Sequence, residues 1–393
     1  MSPTSDWIHR PDFAGGSIAN LMASIVLGLG GEETLLPPLR ELAPQQLHAP
    51  TNVVLLVVDG LGHETLARHG RGTSLLRHQR ARMTSVFPST TATAITTFLT
   101  GQAPRQHGLT GWHMYLSELA SVLAVLPGVP RGGGVPYRQA GIDPTLLLQH
   151  RPVFNRIPPR TYVVAPERIA RSDFNTAHQG RAELRVYRTL EEMFAVAART
   201  LREHAARKYL YLYWSEFDHI GHERGVNSRE AVTHLAEIDG AFEAFLRRIA
   251  GTDTLVIATA DHGMLDTTPA TSLELADHPE LADCLRLPLC GERRAPYCYL
   301  KPRCEDAFLA YVREHLAEVA EPFASEALIA DGWFGPGASH ARLEERVGDY
   351  VLVMKGNYVL KDWLPFESRY KQIGVHGGVS PAEMHVPLIL AEA

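Results

Sequence analysis

Two continuous apolar runs, each closed by an acid, constrain the fold of this chain more than any other feature. Val53-Val54-Leu55-Leu56-Val57-Val58 ends in Asp59-Gly60, and Thr254-Leu255-Val256-Ile257-Ala258-Thr259-Ala260 ends in Asp261-His262-Gly263. A short run with no polar alternation, rich in β-branched residues and bounded by glycine, is the pattern of a strand buried on both faces. Ligands in open α/β sheets gather at the carboxyl ends of the strands, which is where both acids fall.

The rest of the chain keeps this rhythm. Tyr209-Leu210-Tyr211-Leu212-Tyr213-Trp214 forms a third run, and Tyr350 to Met354 and Val386 to Leu390 read as late strands. A helical stretch is expected near Glu64 to His69. A longer helix is expected from Ser228 to Arg248, where Val232, Leu235, Ile238, Phe242 and Phe245 recur at spacings of three and four. Strand-like runs alternating with helix-like ones predict an α/β fold, with a mostly parallel central sheet covered by helices on both faces. At 393 residues, 45% of them hydrophobic, the chain exceeds a typical single domain. Residues 1–265 and 346–393 read as the core and 266–345 as an inserted lid, with a helix from Glu305 to Val319 and a Gly-rich turn from Gly332 to Gly337. Residues 116–160, rich in Gly and Pro, read as loops laid over the active face.

Charge and cysteine usage narrow the partners. A formal net charge of -6 with scattered basic residues gives no electrostatic footprint for a nucleic-acid polymer. The apolar segment Ile18 to Leu29 is too short to span a bilayer, and no basic region leads into it, so neither a membrane anchor nor a secretory leader is expected. A cytoplasmic location is the resulting expectation. Cys284, Cys290, Cys298 and Cys304 lack the paired spacing of a zinc ribbon and read as ordinary thiols.

The chemistry lies in Asp and His residues placed just past the strands. Asp218 and His222, four apart after the 209–214 run, can face one point if the chain enters a helical turn. Carboxylate oxygen and imidazole nitrogen together suit zinc or a similar divalent ion. Asp261-His262 is the stronger signal, because two adjacent buried polar groups need a partner and leaving a neutral one unpaired costs about 2–7 kcal/mol. The bland alternative makes Asp261 a helix cap and His262 a hydrogen-bonded core residue. His376, in Gly374-Val375-His376-Gly377-Gly378, is uninformative alone in a chain with 19 histidines. Ser89, Thr90, Thr91 and Thr93 lead into an apolar helix. Hydroxyls there are usually caps, although a helix start also favours a developing alkoxide or a bound phosphate. Residue chemistry does not choose among the four.

These motifs, taken in order, resemble the alkaline phosphatase superfamily, and most closely its nucleotide pyrophosphatase/phosphodiesterase branch. The resemblance covers about residues 52–115, 209–264 and 370–390. It rests on Asp59-Gly60, on Phe87-Pro88-Ser89-Thr90-Thr91, on the segment from Thr100-Gly101 through Pro104 to His107-Gly108, and on the later Asp218/His222, Asp261-His262-Gly263-Met264 and His376-Gly377 motifs. It implies Thr91 as nucleophile. It also implies two divalent ions, zinc first and manganese second, one held by Asp218, His222 and His376 and the other by Asp59, Asp261 and His262 with Thr91 close by. Two such ions can hold the attacking and leaving oxygens of an in-line displacement at phosphorus, here through a phosphothreonine intermediate.

The chain departs from the branch at one place. Where the diesterases commonly carry a phosphate-contacting Asn, this chain has Trp112, with one indole donor and a large apolar face. His113 or a residue of the 116–160 loops is the expected substitute donor, and Trp112, Phe87 and Tyr115 are the expected aromatic wall for a planar group, with plain core packing as the competing role. The segment Thr91 to Ile95 lacks the pattern that sulfatases need, and the Thr argues against the phosphoglycerate mutase branch. The expectation is therefore a two-metal phosphohydrolase acting on phosphodiester or pyrophosphate bonds of a small, nucleotide-like substrate. A phosphomonoesterase or phosphonate hydrolase is the alternative on the same metals, and a catalytically silent binding protein the alternative of another class.

Overall fold

The computed structural model describes residues 7–393 apart from residue 204. Its centre is a seven-stranded sheet in the order Gln79–Thr84, His385–Glu392, Thr254–Thr259, Asn52–Val58, Lys208–Trp214, Arg160–Pro166, Glu183–Tyr187. All the residues of Asn52–Val58 and Thr254–Thr259 are buried, as their unbroken apolar sequences require. The pairing is mixed. The five strands from Thr254–Thr259 to Glu183–Tyr187 run parallel, whereas His385–Glu392 is antiparallel to both of its neighbours.

The flanking helices follow their local signals. Ser228 caps the helix Arg229–Ile249 by accepting from the Ala231 amide at 3.1 Å, and Leu235, Ile238, Phe242 and Phe245 form its buried stripe. The apolar segment near the N-terminus is the helix Ile18–Gly28, capped by Ser17 and sunk in the core. Asn20 fits inside it because its amide donates to the carbonyls of Phe13 and Pro37. No helix of the described residues is long and apolar enough to cross a membrane.

A second seven-stranded sheet has the order Ala320–Ala324, Tyr350–Met354, Ala295–Cys298, Cys290–Glu292, His113–Leu116, Ser121–Ala124, Val129–Pro130. The 116–160 stretch read as loops thus supplies edge strands, and the strand at Tyr350–Met354 lies here rather than in the central sheet. Its unbroken apolar sequence has the same cause as in the core: Val351 and Val353 enter one hydrophobic cluster, Leu352 and Met354 another on the opposite face. The helix expected at 305–319 is α-helical over Glu305–Tyr311 and widens to a π turn over Val312–Leu316. All four cysteines are free thiols.

A buried ion pair ties the two sheets together. Arg294, in the turn between Cys290–Glu292 and Ala295–Cys298, meets Glu383 with two parallel bonds of 3.0 and 2.9 Å, both side chains almost wholly out of solvent. Glu383 also accepts from the Gly378 amide at 2.8 Å, which fixes the loop carrying His376. Burial disfavours the Glu383 charge, but Arg294 and these donors outweigh it and hold the carboxyl below its ordinary value of 4.5. Removing one partner of such a pair leaves an uncompensated buried charge. Arg294→Met is expected to cost about 3–5 kcal/mol in urea unfolding. Because the folded pKa is depressed, the carboxylate's contribution is present above pH 4.5 and lost as pH falls through the folded value, so the gap between wild type and variant should narrow in acid.

Candidate metal centre

The three central strands Asn52–Val58, Lys208–Trp214 and Thr254–Thr259 are parallel and in register, with Val58 opposite Trp214 and Val57 opposite Thr259. Their carboxyl ends therefore deliver Asp59, Asp261 and the helix Glu216–Arg224 to one place. Gly60 makes the approach possible: its φ is +74°, and a β-carbon there would lie 3.1 Å from the backbone of Asp218. The loop after Gly374–Val375 brings His376 over the same point.

The six acids and histidines of the sequence reading meet in two groups, Asp59/Asp261/His262 and Asp218/His222/His376. Within each group the ligand atoms lie within 4.8 Å of one another. His262 Nε2 is 3.4 Å from both Asp59 Oδ1 and Asp261 Oδ2, and His222 Nε2 is 3.2 Å from Asp218 Oδ2. His262 and His376 stack with ring centroids 3.7 Å apart, so the two groups adjoin.

The surroundings orient every ligand atom inward. Nδ1 of His222 donates to the Gly374 carbonyl at 2.8 Å, that of His376 to Ser89 at 3.2 Å, and that of His262 to Gly263 at 3.1 Å. A neutral imidazole has only one N–H, so each Nε2 presents a lone pair to the cluster. Asp261 Oδ1 is occupied by the amides of Gly60 and His262, and Asp59 Oδ2 by the hydroxyl of Tyr213. Among the described residues, the atoms Asp59 Oδ1, Asp261 Oδ2 and Asp218 Oδ1 are buried and have no hydrogen-bond partner. Lone pairs facing lone pairs, beside three orphaned carboxylate oxygens, form a donor set that fits divalent cations such as zinc or manganese.

The electrostatics agree. Burial, and then the charges of Asp261 and Asp218, push the Asp59 carboxyl well above its ordinary range. Burial raises Asp261 as well. Asp218 differs: burial opposes its charge, but pairing with His222 outweighs burial and holds that carboxyl low, and the same pairing raises His222, so a cation bound there would take the place of a proton shared by the two.

The four candidate hydroxyls are told apart by their partners. Ser89 donates to the Gly378 carbonyl at 2.8 Å, Thr90 to Glu292 Oε1 at 2.7 Å, and Thr93 is fully buried without a partner. Thr91 begins the helix Thr91–Thr100, lines the cavity, and lies with Oγ1 3.1 Å from His262 Nε2. Above this floor lies a cavity of about 520 Å³. Trp112 and His113 line it. Phe87 is not among its lining residues, being 0% exposed and packed on Trp333 and Phe334 in the core beneath the second sheet.

Other lining groups were not anticipated from the sequence, namely Glu292, Arg293, Arg131, Lys361, Trp363 and Tyr370. Glu292 Oε1 accepts from both Thr90 Oγ1 and the Trp112 amide, each at 2.7 Å, and burial pushes this carboxyl up to about 7. The run Gly291-Glu292-Arg293-Arg294 has the look of a solvated turn. Its one signal was its setting, charges between two apolar strands.

Fold and site together define a phosphate-ester hydrolase with two candidate divalent-metal sites. The chain matches the type I phosphodiesterase / nucleotide pyrophosphatase family model over residues 53–378, and it belongs to that family. Among solved structures it is similar to murine ectonucleotide pyrophosphatase/phosphodiesterase 5, with TM-score 0.65 and 16% identity over 86% of this chain and 87% of that one. It is similar also to phosphonoacetate hydrolase from Sinorhizobium meliloti 1021, with TM-score 0.64 and 17% identity over 87% and 90%. The human ectonucleotide pyrophosphatase/phosphodiesterase 5 gives TM-score 0.62 at 15% identity, over 86% and 87%. No curated protein matches the chain in sequence.

The cytoplasmic expectation is overturned here, since the murine and human structures are named as ecto-enzymes. That expectation rested on the lack of a leader pattern, which tests one export signal and not the compartment in which the fold operates.

Purified protein should contain two divalent ions per chain by elemental analysis, and His376→Ala close to one. Chelation should lower the melting temperature of the wild type, because it restores repulsion among three buried acids.

Proposed function

We propose that the chain is a two-metal phosphohydrolase that cleaves phosphodiester or pyrophosphate bonds of a nucleotide-like substrate, with Thr91 as the nucleophile and a phosphothreonine intermediate. The observation that carries this reading is the position of Thr91 Oγ1, 3.1 Å from His262 Nε2 in a cavity that Asp218, His222 and His376 also line. Asp218, His222 and His376 would hold one ion, and Asp59, Asp261 and His262, with Thr91, the other. Bound there, divalent ions supply Lewis acidity to the oxygens entering and leaving phosphorus.

The chain's own groups do the rest. Thr91 is the first residue of a ten-residue helix, and the free amides of that turn favour negative charge developing on its oxygen or on a phosphoryl group beside it. His262 Nε2, 3.1 Å from Thr91 Oγ1, has a single lone pair that would go to the ion, which would leave the Thr91 oxygen turned to that same ion rather than held by the ring. The Trp112 amide is spent on Glu292, so this position offers the substrate an indole face rather than an amide donor. That face, 36% exposed in the cavity, is suited to a planar group such as a base. His113 is kept neutral, its pKa lowered to about 3 by burial and then by Arg131, so it contributes hydrogen bonding without charge. Residues 266–345, whose strands join 113–130 in the sheet above the cavity, act as the inserted lid.

Thr91→Ala should keep both ions and lose turnover by at least about a thousandfold. Full activity in that variant excludes Thr91 as nucleophile. On matched aryl esters, bis(p-nitrophenyl) phosphate should be hydrolysed faster than p-nitrophenyl phosphate. The reverse order favours the monoesterase reading on the same metals.

A further inference from the structure

Three cations reach the cavity wall, and two of them are already satisfied. Arg131 is bound to Asp362 at 2.7 Å and to Glu367 at 2.9 Å, and donates to the Leu289 carbonyl at 2.7 Å. Lys361 pairs with Glu274 at 3.5 Å. Arg293 differs from both. Its guanidinium carbon lies 5.2 Å from the ring centroid of Trp363 and 4.8 Å from that of Tyr370, and among the described residues it pairs with no carboxylate. Glu292, its neighbour in the turn, is directed instead to Thr90 and Trp112.

Local structure explains how this cation is held without a direct ion pair, although Glu292 and Asp362 lie near enough to favour its charge. Arg294, the next residue, is anchored by Glu383, and the Leu360 amide donates to the Arg293 carbonyl at 3.0 Å. The backbone on which Arg293 stands is thereby fixed. Trp363 and Tyr370 meet edge to face at 5.3 Å and receive the guanidinium on their ring faces. Ring faces attract the charge but accept none of its five N–H donors in the plane of the fork. A second donor nearby is also unused, since the buried Trp363 indole N–H finds no acceptor among the described residues. A guanidinium so placed matches the two oxygens of a carboxylate or phosphate.

We infer that Arg293, seated between Trp363 and Tyr370, is an anion subsite that recognises a second, non-reacting carboxylate or phosphate of the substrate. This deepens the phosphohydrolase reading and rests on it. The substrates are then phosphate esters or anhydrides that carry a further oxyanion beyond the phosphorus attacked at Thr91. Burial already disfavours the Arg293 charge, which makes an arriving anion more welcome there than at a solvated arginine.

The test uses metal-loaded wild type, Arg293→Ala and Arg293→Lys on three p-nitrophenyl phosphodiesters. These differ only in the second alcohol, which is ethyl, 2-carboxyethyl or 2-phosphoethyl. Wild type should favour at least one anionic ester over the ethyl ester by about tenfold in kcat/KM, and whichever it favours identifies carboxylate or phosphate as the group read. The ratio should fall to near one in Arg293→Ala and lie between in Arg293→Lys, which keeps the charge but not the fork. Because a ratio is read, a general loss of folded enzyme cancels. A wild-type ratio near one for both anions, or a ratio unchanged in Arg293→Ala, overturns the subsite. A binding arm follows tryptophan fluorescence as methylenediphosphonate or methylphosphonate is added. Arg293-dependent preference for the former without any ester turnover supports the subsite and overturns the hydrolase reading; turnover without that preference does the reverse.

Discussion

Three carboxylates gathered beyond the ends of adjacent strands, each with a buried oxygen for which the described residues supply no donor, are the constraint on which the rest of this structure depends. Burial raises the pKa of Asp59, and repulsion from Asp261 and Asp218 raises it further. Among the described residues no lysine or arginine pairs with these acids. The protein brings three imidazoles to the same point and spends their Nδ1 protons on backbone carbonyls, so that lone pairs face the acids. An arrangement so short of donors favours bound cations, and the role proposed for Thr91 depends on where they would sit.

The scaffold makes that arrangement affordable. Parallel central strands align their carboxyl ends, glycine at position 60 lets the Asp218 backbone close in, and the Arg294–Glu383 pair locks the His376 loop to the second sheet. The same turn that supplies Arg294 also carries Glu292 and Arg293 into the cavity. One hairpin therefore links structural support on one side to Thr90 and Trp112 on another, with the anion subsite between them.

The three central strands, and Asp59, Asp218, His222, Asp261 and His262 as candidates, were legible in the sequence because each rests on local signals, whereas His376, one of 19 histidines, entered only through the order of the motifs. A run buried on both faces cannot alternate, and an acid just past such a run has few bland roles. The choice of Thr91 among four hydroxyls was not legible from residue chemistry, since Ser89, Thr90 and Thr93 differ from it only in tertiary partners. The second sheet was hidden for another reason. It is built of strands of two to five residues that join across a long interval, His113 pairing with Gly291, and no periodic pattern survives at that length. Phe87 misled because an aromatic residue next to a nucleophile motif reads equally as substrate wall or as core, and here it packs on Trp333 and Phe334. Glu292 and Arg293 escaped because a charged turn is ordinarily solvated.

The central claim is that each of the two clusters binds one divalent ion beside Thr91. Anomalous diffraction from crystals of the zinc-loaded protein, collected on both sides of the zinc absorption edge, tests it most directly. The account predicts two peaks, one among Asp59, Asp261 and His262 and one among Asp218, His222 and His376. A single peak, or zinc bound only elsewhere, would contradict it.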